Sequence, residues 1–215
     1  MDGTLVDTEH LHFEAFRTVL APHGVALSWA DYRRFIAGHP NGAIAARFLP
    51  HVPAGDHGAI IDDKEARYRA LVTAVEPAAG LLDLLDWADT RAIPYAVVTN
   101  APRANAELVL RGLGIRSRIG ALVAGDEVDS PKPHPMPYLK AAAAVNGDLA
   151  RTVAFEDSGS GVASAVAAGL PVVGLAAPAD EGGLAAKGAA LVIADFRDPG
   201  LMGFLRGRLG LDGAR

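Results

Sequence analysis

Thr152-Val-Ala-Phe-Glu-Asp-Ser-Gly-Ser-Gly-Val-Ala-Ser-Ala-Val-Ala-Ala-Gly-Leu-Pro-Val-Val-Gly-Leu175 is the segment that decides the fold. Residues 152–155 form a short apolar run without polar alternation, which predicts a strand covered on both faces. Two acids and a glycine-rich turn follow, then small residues over 161–168 that read as a helix. Residues 171–175 are a second strand of the same kind. A strand, a helix and a strand in so short a span predict a parallel crossover.

The same rhythm runs outward in both directions. Upstream, helices over 81–91, 105–113 and 137–145 alternate with strands over 94–99 and 121–124; downstream, a helix over 184–188 precedes a strand over 190–193. The expected fold class is therefore α/β, a doubly wound parallel sheet with helices on both faces. Such sheets bind ligands at the carboxyl ends of their strands. Residues 8–78 read differently, as four helices. Apolar residues at 11, 13, 16, 19 and 20 make a stripe, and Gly24 is a stop. Ser28 caps a second helix with Asp31 three residues on; Asn41 or Gly42 starts a third, ended by Pro50; residues 56–75 make a charged fourth. The predicted organisation is a core from 1–7 and 79–215 and a helical module from 8–78.

Composition narrows the function classes. The chain has 215 residues, half of them hydrophobic, and a net charge of −5, so no basic field is offered to nucleic acid or acidic lipid. No apolar run reaches the roughly 18 residues of a membrane span, and the opening Met1-Asp2-Gly3-Thr4 is not a signal peptide pattern. Zero cysteines remove disulfides, thiolate nucleophiles and metal-thiolate sites. A cytoplasmic enzyme or binding protein is expected, without membrane or nucleic-acid partners, as a monomer or homodimer.

Each predicted strand exit carries polar residues. Thr99-Asn100 ends the first, Asp126-Glu127 the second and Glu156-Asp157 the third, while Lys132 stands between prolines in 130–135. Carboxylates, a lysine and a hydroxyl on one rim suit a divalent cation with a phosphoryl group. Asp-Gly-Thr-Leu-Val-Asp-Thr-Glu at 2–9, Val-Val-Thr-Asn at 97–100, Lys132-Pro133 and Phe-Glu-Asp-Ser at 155–158 resemble, in order, the four motifs of the haloacid dehalogenase superfamily. With the helical module between the first two motifs, the chain is similar to the phosphoglycolate phosphatase and β-phosphoglucomutase subgroup.

The resemblance implies a Mg²⁺-dependent phosphatase of a small phosphorylated metabolite, working through an aspartyl-phosphate. Asp2 matches the general acid/base, and its carbonyl a metal ligand. Thr99 and Asn100 match the phosphate-gripping pair, Lys132 the cation that neutralises phosphate, and Asp157 a metal ligand with Glu156 beside it. His12 and Lys64 match substrate-facing residues of the helical module. The family's nucleophile lies two residues before the position of Asp2. The strand bearing it is thus expected to be missing from this chain, with turnover close to nil and roughly 8–12 further residues upstream in the working protein. Three other functions compete. A mutase is disfavoured by Asn41, which stands where the mutase has a phosphate-holding arginine, and a dehalogenase by Asp2; a non-catalytic binding protein is the reading from another class. Plainer roles stand beside the sharp ones: Asp2 and Asp7 as a capping turn, Lys132 as a loop charge, Glu156-Asp157 as surface acids. His134 reads as a loop residue, and Trp29 and Trp87 as core.

Overall fold

The computed structural model describes residues 1–176 and 181–211. The helical module opens with α1, Glu9–Leu20, and α2, Trp29–Phe35, which starts where the Ser28 side chain accepts the Asp31 amide at 3.1 Å. It continues with α3, Asn41–Phe48, and α4, His57–Leu71. Helix α4 stops four residues short of the expected 75. Val72, Thr73 and Val75 are β-branched, Pro77 follows, and Val72 already sits at ψ 87. Phe16, Leu20, Tyr32, Ile36, Ile44 and Leu49 close this module around a cluster of its own. Trp29, expected in that core, is 43% exposed: it opens α2 on the outer side and stacks on Tyr32, while its edge meets Phe13.

The second part alternates α5 (Leu81–Asp89), β1 (Ala96–Val98), α6 (Arg103–Gly112), β2 (Ala121–Val123), α7 (Met136–Ala144) and β3 (Ala154–Glu156). Helix α8 (Gly159–Ala167), β4 (Val172–Leu175), α9 (Glu181–Ala186), β5 (Leu191–Ile193) and α10 (Leu201–Leu209) complete it. Helix α10 falls outside the sequence reading. Its glycines at 203 and 207 blur the apolar stripe, although Leu201 and Leu205 are buried. All strand pairs are parallel, as the non-alternating runs require. Among the described residues, however, the expected single sheet is two: β2-β1 and β3-β4-β5. A cavity of about 550 Å³ lies between them, lined along one side by Ala96, Val97 and Val98 and along the other by Val153, Ala154 and Phe155. No described helix is long and apolar enough to cross a membrane.

Candidate active site

The strand ends converge. Asp2, His12, Lys64, Thr99, Asn100, Lys132, Glu156 and Asp157, the eight residues singled out in the sequence, all line one cavity of about 110 Å³. What brings Asp2 there is a tight turn. The Gly3 amide bonds to the Val6 carbonyl at 2.8 Å and the Leu5 amide to the Met1 carbonyl at 2.7 Å. Gly3 takes φ +73, and a Cβ on it would collide with the Asp157 carboxylate, so both conformation and space demand glycine.

Lys132 is the pivot of the core side. It is buried, and its Nζ donates to Glu156 Oε1 at 2.6 Å and to the Val98 carbonyl at 3.4 Å, which ties the ends of β1 and β3. Asn100 clamps the Lys132 main chain in both directions: the Lys132 amide donates to Oδ1 at 3.0 Å and Nδ2 donates to the Lys132 carbonyl at 3.1 Å. Expected to grip substrate, the Asn100 amide is thus mostly occupied in holding the lysine. Glu156 also accepts the Tyr138 hydroxyl at 2.5 Å and faces Ser158 Oγ at 3.3 Å. Burial opposes its ionisation, but the Lys132 ammonium and the Tyr138 hydroxyl hold it below the usual carboxylate range. A Cβ on Gly161 would strike this carboxylate, so glycine at the start of α8 lets it fit beneath the helix. Asp157 has the opposite balance. Burial and the neighbouring Glu156 charge push it up, against the Thr4 hydroxyl, which donates to Oδ1 at 2.6 Å, and the Lys132 charge.

On the other wall Asp2 Oδ1 accepts Thr8 Oγ1 at 2.6 Å and the Tyr68 hydroxyl at 3.1 Å, and faces His12 Nε2 at 3.5 Å. Burial alone would raise the Asp2 carboxyl, but His12 and Thr8 hold it well below the usual range. His12 stacks on Tyr68 with ring centroids 3.8 Å apart, and its Nδ1 lies 2.9 Å from Lys64 Nζ. Burial and then the Lys64 charge depress His12 below an ordinary imidazole, which favours the neutral ring. An ammonium can only donate, so Nδ1 accepts from Lys64 and the ring proton sits on Nε2, toward Asp2. Lys64, itself depressed by burial, donates on to Glu65 Oε1 at 3.1 Å. Glu65 takes Asn41 Nδ2 at 2.8 Å and, from α6 in the core, Asn105 Nδ2 at 2.6 Å. One polar chain therefore runs from α6 through α4 to Asp2.

Sequence reasoning missed Thr4, Thr8, Tyr68, Glu65 and Tyr138. Tyr68 had a signal, because it lies four residues after Lys64 and hence on the same face of α4. Among the described residues no three His, Cys, Asp or Glu side chains gather as a metal cage. Asp157, Asp2 with its carbonyl, and Glu156, the expected metal-holding residues, all line the cavity; Lys132, Tyr138 and Ser158 already surround Glu156, and Thr8, Tyr68 and His12 surround Asp2 Oδ1.

The sequence model of a family described as haloacid dehalogenase-like hydrolase matches residues 1–175. Validoxylamine A 7'-phosphate phosphatase of Streptomyces hygroscopicus subsp. limoneus is 33% identical over 190 residues, covering 86% of this chain and 87% of its own. Fructose-1-phosphate phosphatase YqaB of Escherichia coli K12 is 35% identical over 178 residues, covering 80% and 92%. The crystal structure of CbbY from Rhodobacter sphaeroides in complex with phosphate superposes with a TM-score of 0.80 at 30% identity, covering 93% of each chain.

Proposed function

The chain belongs to the haloacid dehalogenase-like hydrolases, and from that premise we propose that it is a Mg²⁺-dependent phosphatase of small phosphorylated metabolites. The observation that carries the reading is the shared cavity, in which a lysine ammonium, a threonine hydroxyl and buried carboxylates meet. Lys132 uses two of its three N–H donors on Glu156 and Val98, which leaves one for a phosphate oxygen. Thr99 Oγ1 accepts the Ala101 amide at 3.1 Å, so its own O–H is free to donate to the same group. Both donors are held before substrate arrives, so little reorganisation is needed as charge develops on the phosphoryl oxygens.

Asp2 is the group that moves a proton. Thr8, Tyr68 and His12 fix its Oδ1, leaving Oδ2 for proton transfer. Ionised at rest, Asp2 must first gain a proton, which the negative charge of an incoming phosphate favours, before it gives one to the leaving oxygen and later takes one from water. The family resemblance gives the role of phosphoryl acceptor to a separate aspartate, two positions ahead of the one Asp2 matches. The fit to Mg²⁺ rests on the donor set: Asp157 offers a hard carboxylate oxygen at the cavity that Asp2 also lines, with Thr4 engaging only its Oδ1. Magnesium is usually held by one or two carboxylates with waters and phosphate oxygens. The Asp157 carboxylate and the Asp2 carbonyl would hold it, with Glu156 in support through Lys132. Bound there, the ion would neutralise phosphoryl charge. The module 8–78 acts as a cap, placing His12 and Lys64 over the cavity and excluding water. A mutase needs a second phosphate grip, and Asn41, bonded to Glu65, supplies no charge for one.

Calorimetric binding of inorganic phosphate, phosphoglycolate and a set of sugar phosphates, with and without Mg²⁺, tests this. Binding that Mg²⁺ strengthens and Lys132→Met abolishes is expected. A protein that ignores the whole set, or a Lys132→Met variant that binds equally well, would sink the proposal.

A further inference from the structure

The cavity at the strand ends has two walls of opposite character. The core wall carries the groups that suit a phosphoryl ester, Thr99, Lys132 and Asp157. The helical wall faces the alcohol which that ester carries, and it presents Phe16, Ile36, Asn41, Lys64 and Glu65. Glu65 is buried, yet its Oε1 accepts Asn41 Nδ2 at 2.8 Å and Lys64 Nζ at 3.1 Å, and its Oε2 accepts Asn105 Nδ2 at 2.6 Å. Burial opposes its charge, but these three donors hold the carboxyl below its ordinary value, so it stays ionised. Lys64 offers an incoming anion little in return. An ammonium has three N–H donors. One goes to His12 Nδ1 at 2.9 Å, one goes to Glu65, and the cation lies 4.4 Å from the centre of the Phe16 ring. Glu9 adds a second carboxylate to the same wall, while His39 gives its Nδ1 proton to the Ala37 carbonyl at 3.0 Å. Among the described residues no arginine lines the cavity; Arg69 reaches Asn105 Oδ1 at 3.0 Å but is not part of the lining. The helical wall thus sets two carboxylates against one ammonium that is already engaged.

We propose that Glu65 is a specificity-determining residue, which turns away esters whose alcohol carries a second anion, so that the site takes monophosphates of neutral, hydroxyl-bearing alcohols. The inference rests on the phosphatase reading and narrows its substrate class. A distal carboxylate or second phosphate would meet Glu65 and Glu9 away from bulk water, with the Lys64 donors already in use. A hydroxyl suits the same wall. Glu65 Oε2 accepts one bond and has a lone pair for another, and Asn41, which gives one N–H to Glu65, keeps its Oδ1 and its other N–H. The carbon skeleton of the alcohol meets Phe16 and Ile36. Selectivity of this kind comes as much from repelling the wrong ligand as from holding the right one.

Matched pairs of phosphate esters test it, by calorimetry on the full chain with Mg²⁺ in constant excess and inorganic phosphate as the reference. Hydroxyethyl phosphate is compared with phosphoglycolate, and glycerol phosphate with phosphoglycerate; in each pair a hydroxymethyl group is exchanged for a carboxylate. The neutral member should bind about tenfold or more tightly than the acid. Glu65→Gln keeps the size and removes the charge, and should shrink that ratio by about fivefold or more because the acid gains. A purely structural role for Glu65 would weaken both members alike and leave the ratio where it was. If the variant does not fold, the two ratios on the parent decide alone. An acid that binds as tightly as its neutral partner, or an unchanged ratio in folded Glu65→Gln, overturns the proposal and leaves the phosphatase reading standing. Failure of every ester and of inorganic phosphate to bind overturns the phosphatase reading, and the selectivity built on it falls too.

Discussion

The Lys132–Glu156 pair offers the sharpest quantitative test of how the site is held. Lys132 is 5% exposed and Glu156 2%, with Nζ and Oε1 2.6 Å apart, so solvent screens this interaction little. Replacing Lys132 by Met keeps the stem and removes the cation. Glu156 is left buried with the Tyr138 and Ser158 hydroxyls as partners and no charge to balance it. Breaking one side of a buried pair costs about 3–5 kcal/mol, whereas removing both sides is often close to neutral. For a chain of this length each kcal/mol moves the unfolding midpoint by about 2–4 °C, so the single variant should melt about 6–20 °C below the parent. Glu156→Gln, which strands the ammonium instead, should lose stability comparably. The double variant Lys132→Met with Glu156→Gln should recover much of the loss. Scanning calorimetry of the four proteins in one buffer closes the cycle. Single variants within about 3 °C of the parent, or a double variant no better than the worse single, would refute the claim that this pair is desolvated and mutually dependent.

Glu65 gives a pH prediction. Burial opposes its charge, but Lys64, Asn41 and Asn105 hold its pKa below the ordinary value. A carboxyl depressed in the folded state adds stability that is complete above its unfolded value, about 4.3, and that fades as pH falls through the folded value. Urea midpoints between about pH 3 and 6 should therefore fall on acidification in the parent and fall less in Glu65→Gln; identical slopes would exclude the assignment. Gly3→Ala should cost about 1–2 kcal/mol for its left-handed φ of +73 alone, and more because the new Cβ must displace Asp157. Thermal melting and Mg²⁺-linked phosphate binding should both suffer, and a variant that melts normally would remove the close approach. Ser28→Ala should cost about 1 kcal/mol by uncapping α2. Because the cap lies outside the site, phosphate affinity should stay put; a lost affinity would tie α2 to the cavity more tightly than its contacts indicate.

What the amino-acid order disclosed, and what it hid, follow from range. Local signals were legible: α1 ends at Leu20, where its apolar stripe does, and Ser28 with Asp31 marks α2. The strand runs were readable because double coverage makes them continuously apolar, though four are trimmed to three or four residues where pairing stops and the run expected over 152–155 shifts to 154–156. Of the eight residues that share the cavity, six stand in the four motifs, where chemistry and order coincide, and His12 and Lys64 were picked out by the resemblance of the helical module. Hidden were the donors that fix the carboxylates. Thr4, Thr8 and Tyr68 are common residue types, and the Thr4–Asp157 bond spans 153 positions. Glu65 read as one more acid on a charged helix until α6 was seen to bring Asn105 against it. Division of the strands into two sheets is likewise a matter of tertiary spacing, which no local pattern reports.

Two of the seams between the helical module and the rest are unequal. Near Gly38 the tie is an exposed bond, Ser160 Oγ to the Gly38 carbonyl at 2.6 Å, which water can replace at small cost. Beside α6 it is the sheltered knot of Glu65, Asn105 and Arg69, whose Nη1 reaches Asn105 at 3.0 Å and whose rupture would strand charge away from solvent. Thermal agitation will therefore prise the Gly38 lip far more often than the Asn105 flank. A guest would slip in past Ser160 as through a door hung on its far jamb.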